Sequence, residues 1–206
     1  MELTLTLKEH SIILGTLLGD GFLQKRAQKA RLRICHSYKQ KQYVDWKYQQ
    51  LLTLCQRTAS PKSQQRPLGK AYSFSTQSEK ILLQYHSLFY KRNGLKKIDN
   101  ELIDYIKHPL SLAIWWLDDG NARKDCAAGR LATCSFSLGE QKILQKLLFQ
   151  NFKIGTNIVR NSIKKNKAQY YLYIPSQSFY QLVNIIKIYV QQIPTMEYKL
   201  GKPRND

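Results

Sequence analysis

Acidic residues are scarce: 14 Asp and Glu stand against 33 Lys and Arg among 206 residues, a net charge of +19 at pH 7 with His neutral. A folded surface so unbalanced repels itself unless something acidic neutralises it, and nucleic acid or an anionic membrane are the usual partners. Long apolar runs are missing as well. The longest, such as residues 11–18 and 110–117, fall well short of the roughly 20 residues that a spanning helix needs. The start, Met1-Glu2-Leu3-Thr4, is acidic and carries no cleavage-type apolar block, so no secretory signal is expected. Cysteines are few and unpaired in pattern: Cys35, Cys55, Cys126 and Cys134 form no C-x-x-C and have no His pair at zinc-finger spacing. That argues against structural zinc and for reduced, inert thiols in an intracellular protein, although Cys126 and Cys134 could meet across a hairpin. Disorder is not expected either, because 43% hydrophobic and 23% charged residues suffice for an ordinary core.

What is present is a repeat. Leu14-Gly15-Thr16-Leu17-Leu18-Gly19-Asp20-Gly21 recurs as Ala113-Ile114-Trp115-Trp116-Leu117-Asp118-Asp119-Gly120, which places Asp20 and Asp119 99 residues apart. Arg31 and Arg130 keep that offset, and residues 72–78 align with 171–178. Each copy reads as an apolar helix ending at Asp-Gly, a hairpin, a helix (41–54; 139–149), a second pair of strands and a closing helix (81–90; 179–190). Alternation turns Leu32, Ile34, Leu172 and Ile174 inward, with Arg31, Arg33, Tyr171 and Tyr173 outward. His108-Pro109 is the expected seam, since proline suits the first turn of a helix and interrupts the one before. The expected fold is α+β, two pseudosymmetric αββαββα halves at 1–105 and 106–206.

Both repeated acids sit at the C-terminal end of an apolar helix, where the macrodipole disfavours negative charge unless a cation compensates. One Asp-Gly is ordinarily a turn; two in equivalent places ask for a shared reason.

The segments 13–21 and 112–120 resemble the two nine-residue signatures of single-chain LAGLIDADG homing endonucleases. The Trp-Trp-Leu-Asp-Asp-Gly form, the Pro194-Thr195-Met196-Glu197-Tyr198-Lys199-Leu200 segment and the Lys96-Lys97-Ile98-Asp99-Asn100 segment are similar to the subgroup of the yeast mitochondrial omega-intron enzyme. The resemblance covers essentially the whole chain. It implies two signature helices packed on a pseudo-twofold axis under a β-saddle that holds DNA. It also implies Asp20 and Asp119 as divalent-cation ligands at the base of that axis, with the preceding Gly19 and Asp118 as further candidates; Asp118 could instead be a hydrogen-bonding or capping residue. Mg²⁺ is the implied cofactor, in keeping with hard oxygen donors and phosphodiester hydrolysis. Lys199, and either Lys96 or Lys97, are the implied catalytic-site lysines. His36 falls where the family often carries Gln, with Ser135 or Cys134 in the other half, and it reads as a strand-end polar residue or DNA contact. Gly15 and Gly19 leave a smooth helix face opposite the larger Ile114 and Asp118, so close approach is expected from one side only.

A two-stranded ribbon fits the major groove, and the outward residues suit it: Arg31, Arg33, Ser73, Ser75, Gln77, Arg130, Thr133, Tyr171 and Tyr173. Lys25, Arg26 and Lys29 in one half and Asn121, Arg123 and Lys124 in the other are further DNA contacts, and the basic segments 56–70 and 164–167 read as phosphate-binding turns. The resulting expectation is a monomeric, Mg²⁺-dependent, site-specific double-strand DNA endonuclease. An intron-encoded or free-standing origin is expected, since no splicing blocks flank the chain, and the Lys-, Ile-, Tyr-, Asn- and Gln-rich composition suits an organellar genome. The alternative is a non-cleaving nucleic-acid binder such as a group I intron RNA maturase, with intron RNA as partner; retention of both aspartates favours the enzyme.

Overall fold

The computed structural model describes residues 3–67, 69–164 and 167–201. Helix α1 (Leu7–Leu18) begins at a capping box: the Thr6 hydroxyl accepts from the Glu9 N–H and the Glu9 carboxylate accepts from the Thr6 N–H. Strands β1 (Phe22–Arg26) and β2 (Lys29–Ser37) follow, then helix α2 (Lys41–Gln50), strands β3 (Lys62–Arg66) and β4 (Gly69–Ser75), and helix α3 (Leu82–Phe89). A short helix, α4 (Leu102–Tyr105), links this half to the next. There α5 (Pro109–Asp119), β5 (Gly120–Ala122), β6 (Gly129–Leu131), α6 (Leu138–Phe152), β7 (Asn157–Lys164), β8 (Lys167–Ile174) and α7 (Ser176–Val190) repeat the order, and a 3₁₀ segment, Pro194–Leu200, closes it. Pro109 is the first residue of α5, and the His108 ring accepts the Leu110 N–H as its cap.

Each half contributes one antiparallel four-stranded sheet, ordered β1-β2-β4-β3 and β5-β6-β8-β7. The inward side chains Leu32, Ile34, Leu131, Leu172 and Ile174 are fully buried against the helices. Two differences from the sequence reading have local causes. Segment 56–70 is not one long turn: residues 62–66 pair with β4, Lys62 opposite Ser73 and Arg66 opposite Gly69. The first hairpin of the second half is only three residues per strand, because the chain turns inward after Leu131 and buries Thr133, whose hydroxyl donates to Gln141 Oε1 at 2.7 Å. All four cysteines are free, so the Cys126–Cys134 approach makes no bond. No helix of the described residues is long and apolar enough to cross a membrane.

Helices α1 and α5 pack so closely that glycine is required where they touch. A Cβ on Gly15 would lie 2.4 Å from the Ser111 carbonyl oxygen and 2.7 Å from Ile114 Cβ, and one on Gly19 would lie 2.4 Å from Asp118 Cβ. The Ser111 hydroxyl crosses the contact to the Ser11 carbonyl at 3.0 Å. With both glycines on α1, the tight approach is one-sided, and it brings the two Asp-Gly termini together.

Candidate active site

Neither motif helix has a basic residue in its last turn. The cations that offset the acids come from elsewhere in the chain. Lys96, held by its antiparallel bridge to Tyr90, donates from Nζ to the Gly19 carbonyl at 2.7 Å. Lys199, on the closing 3₁₀ segment, donates to the Gly120 carbonyl at 2.6 Å, while its own carbonyl accepts the Trp116 indole N–H at 2.9 Å. Each lysine covers one helix terminus, where orphan carbonyls and the dipole favour a positive charge. This separates the two residues that sequence left open: Lys96 faces the acids, whereas Lys97 pairs with Asp99 at 2.6 Å.

Asp20 and Asp119 line a cleft of about 440 Å³ together with Gly120, Asn121, Arg130, Asn161, Tyr171 and Lys199. The Asp20 side chain is 51% exposed. Burial, reinforced by the Asp118 charge, raises its carboxyl above the usual range. Asp119 is pushed up to about 7, by burial first and then by the Asp20 and Asp118 charges, against which Lys96 and Lys199 act. No side chain among the described residues donates a hydrogen bond to the Asp119 carboxylate. Crowded carboxylates short of donors are what a divalent cation relieves, and oxygen donors suit Mg²⁺. Among the described residues no three His, Cys, Asp or Glu side chains converge to hold a metal by themselves. Asp20 and Asp119 therefore fit a cation whose other ligands are water or substrate oxygens.

Asp118 has a different role. Its side chain is fully buried; Oδ1 accepts from Lys47 Nζ at 2.8 Å and from the Tyr43 hydroxyl at 2.7 Å, and Oδ2 from Lys47 at 3.1 Å and from the Asp20 N–H at 3.3 Å. Burial alone would raise it, but the Lys47 ammonium, His36 and those hydrogen bonds hold it below the usual carboxylate range. Asp118 borders the same cleft, but with both oxygens accepting from protein donors it fits the hydrogen-bonding role that the sequence also allowed it.

Of the two roles that the sequence allowed His36, the structure fits the strand-end polar residue and not the DNA contact. His36 is 6% exposed and so offers no face to DNA; its ring lies between Asp20 (Nδ1 to Oδ2, 3.5 Å) and Asp118 (Nε2 to Oδ1, 3.7 Å). Burial, then the nearby Lys47 charge, lower it to about 4, so the imidazole is neutral at pH 7. Thr133, fully buried, also leaves the DNA-contact set. The sequence reading missed Lys47, Tyr43 and Asn161. Lys47 left a signal: Tyr43, Val44, Lys47, Leu51 and Leu54 form the inward stripe of α2 and its extension, with a lysine at an apolar position. Asn161, one strand residue among many, left none.

The remaining outward residues occupy accessible positions. Lys25, Arg26, Lys29, Arg33, Asn121, Arg123, Lys124 and Arg130 are exposed; Arg31, Ser73, Ser75, Gln77, Tyr171 and Tyr173 are half-buried. Asn121, Arg130 and Tyr171 share the cleft with the acids. Arg123 is paired with Asp125, and Gln77 lies just beyond β4, its N–H bonded to the Leu54 carbonyl. Residues 165 and 166 and the side chains of Lys164 and Lys167, read as a phosphate-binding turn, lie outside the described residues.

Residues 10–182 match the LAGLIDADG DNA endonuclease family, and the chain belongs to it. It is 33% identical over 196 residues to a cytochrome b mRNA maturase, bI2, of Debaryomyces hansenii, covering 91% of this chain and 71% of the relative. It is 25% identical over 214 residues to the DNA endonuclease I-ChuI of Chlamydomonas applanata, covering 97% of each. Its fold is that of the homing endonuclease I-WcaI bound to its DNA recognition sequence, with a TM-score of 0.81 at 22% identity over 96% of this chain and 88% of that one. Against other curated relatives it spans about half their length.

Proposed function

We propose that this chain is a monomeric, single-chain homing endonuclease that binds a long double-stranded DNA site and hydrolyses a phosphodiester bond in each strand with Mg²⁺. Its Trp-Trp-Leu-Asp-Asp-Gly motif and its 194–200 and 96–100 segments support a likeness to the subgroup of the yeast mitochondrial omega-intron enzyme. The observation that carries this reading is the pairing of Asp20 and Asp119 in one cleft, with Lys96 on one helix terminus and Lys199 on the other. The halves 1–105 and 106–206 then present equivalent chemistry to the two strands.

Asp20 and Asp119 would hold the cation, which when bound activates water and offsets charge on the reacting phosphate. The protein's own groups do the positioning. Lys96 and Lys199 each direct one ammonium hydrogen bond to a backbone carbonyl, which leaves donors free for phosphate oxygens. Burial lowers both lysines, while the acids around them work in the opposite direction. Arg130, Asn121 and Tyr171 extend from the acids onto the second sheet, a path for the backbone of a bound duplex. Lys25, Arg26, Lys29 and Arg33 offer exposed charge on the first sheet.

A second reading, RNA maturation without cleavage, is favoured by the 33% identity to a maturase. Selection of cleaved sequences from a randomised duplex library with Mg²⁺ distinguishes them. The endonuclease reading expects a selected site, cut by the wild type and bound but uncut by Asp20→Asn and Asp119→Asn; specific binding with no cleavage by the wild type overturns it.

A further inference from the structure

The support behind the two motif acids is one-sided. His36 Nε2 lies 3.5 Å from Lys47 Nζ. An ammonium has donors and no acceptor, so a ring N–H at Nε2 would face another N–H, unfavourably in a buried site. Nε2 also lies 3.7 Å from Asp118 Oδ1, but that oxygen already accepts from Tyr43 and Lys47. The lone pair therefore belongs at Nε2 and the ring proton at Nδ1, 3.5 Å from Asp20 Oδ2. Among the described residues nothing equivalent stands behind Asp119. At the repeat offset, Ser135 and Lys146 are both exposed, and α6 buries the neutral Gln141, which bonds Thr133 and the Tyr170 carbonyl.

We propose that Lys47 is a positioning residue: clamped by Asp118, its ammonium holds His36 in the Nδ1–H tautomer, so that the imidazole donates toward Asp20 and fixes how that carboxylate sits in the cleft. Outer partners of this kind orient cation-binding groups, and their loss commonly costs 10–100-fold in affinity or activity. The inference rests on the proposed nuclease reading for what Asp20 does, but not for where the proton lies.

The first test is spectroscopic and needs no activity. In the full chain with ¹⁵N-labelled histidine, long-range ¹H–¹⁵N correlations report which ring nitrogen carries the proton, and the His36 signals are those lost in His36→Asn. The expected result is Nδ1–H in the wild type. The double variant Lys47→Met, Asp118→Asn removes cation and counter-charge together, keeps both shapes, and should move the proton toward Nε2. A wild-type ring protonated at Nε2, or a tautomer unchanged in the double variant, overturns the proposal. The second test uses supercoiled plasmid carrying the selected site. With only one of two aspartates unbraced, the double variant should accumulate nicked circles, the ratio of nicked to linear product rising by on the order of 10-fold. Adding His36→Asn, whose amide N–H takes the place of Nδ1–H without a tautomer choice, should restore linear product. Equal slowing of both cuts without rescue would make Lys47 merely structural and overturn the proposal. A wild type that cuts no DNA defeats the nuclease reading, while the spectra still decide the tautomer.

Discussion

Lys47→Met should be among the most damaging single substitutions outside the apolar core. The Lys47 and Asp118 side chains are both fully buried, and the ammonium is the only full positive charge within hydrogen-bonding distance of that carboxylate among the described residues. Removing it leaves an anion supported by a phenol, a long contact to a neutral imidazole and the Asp20 N–H. Breaking one side of a buried pair costs about 3–5 kcal/mol, a large part of the roughly 5–15 kcal/mol that a protein has in total. At about 2–4 °C per kcal/mol for a chain of this size, Tm should fall by roughly 6–20 °C. Thermal unfolding followed by circular dichroism measures that shift, and urea unfolding the free-energy loss, with the urea midpoint moving and the slope unchanged. Asp118→Asn in the Lys47→Met background should recover at least half of the loss, because neutral groups of the same shape replace the pair without an orphaned charge. A single-variant loss below about 1 kcal/mol, the range of surface pairs, or a double variant no better than the single, would refute the reasoning.

Other expectations follow from particular contacts. Gly15→Ala drives a methyl into the Ser111 carbonyl and Ile114, so α1 and α5 must part at a cost of about 1–3 kcal/mol or more; an unchanged thermal midpoint would contradict the packing. Asp119, raised to about 7, disfavours its charged form in the fold, so its stabilising share is present below its unfolded pKa and is lost as pH rises through about 7. In chelator, Asp119→Asn should therefore gain on the wild type from pH 5 to pH 8, by on the order of 2 kcal/mol after screening, and Mg²⁺ should reverse the order; a gap independent of pH refutes it. Binding to the selected duplex should weaken steeply with salt, and Lys29→Ala should reduce the slope of log K against log salt by about 1; a flat profile contradicts phosphate contact by the exposed bases.

The fold was legible because its signals are periodic and doubled. The 99-residue offset aligned two helices, two arginines and two strand blocks, and strand alternation alone oriented Leu32 and Leu172. The three-residue hairpin strands were not legible, since Ala132 and Thr133 continue a strand-like alternation and only the Thr133–Gln141 bond turns the chain inward. In the site, motif position sufficed for Asp20 and Asp119, because a helix terminus fixes where its last residue points. It did not suffice for Asp118 or His36, whose surroundings come from α2, a segment with no motif of its own. Lys97 was separated from Lys96 only by register, which one residue reverses. Local pattern fixes where a residue lies along an element, whereas partners such as Lys47 are set by how the two halves pack.

On the proposed function, Asp20 and Asp119 act as one cation-binding pair for DNA hydrolysis. The most direct measurement compares the wild type, Asp20→Asn and Asp119→Asn on the same selected duplex, recording affinity in Ca²⁺ or chelator and cleavage of each strand in Mg²⁺. The prediction is wild-type cleavage of both strands that chelator abolishes, with both variants bound as tightly and cutting at least about 100-fold more slowly. Cleavage by either variant at the wild-type rate, or wild-type cleavage that persists in chelator, would show that the two aspartates are not a cation-binding pair for cleavage.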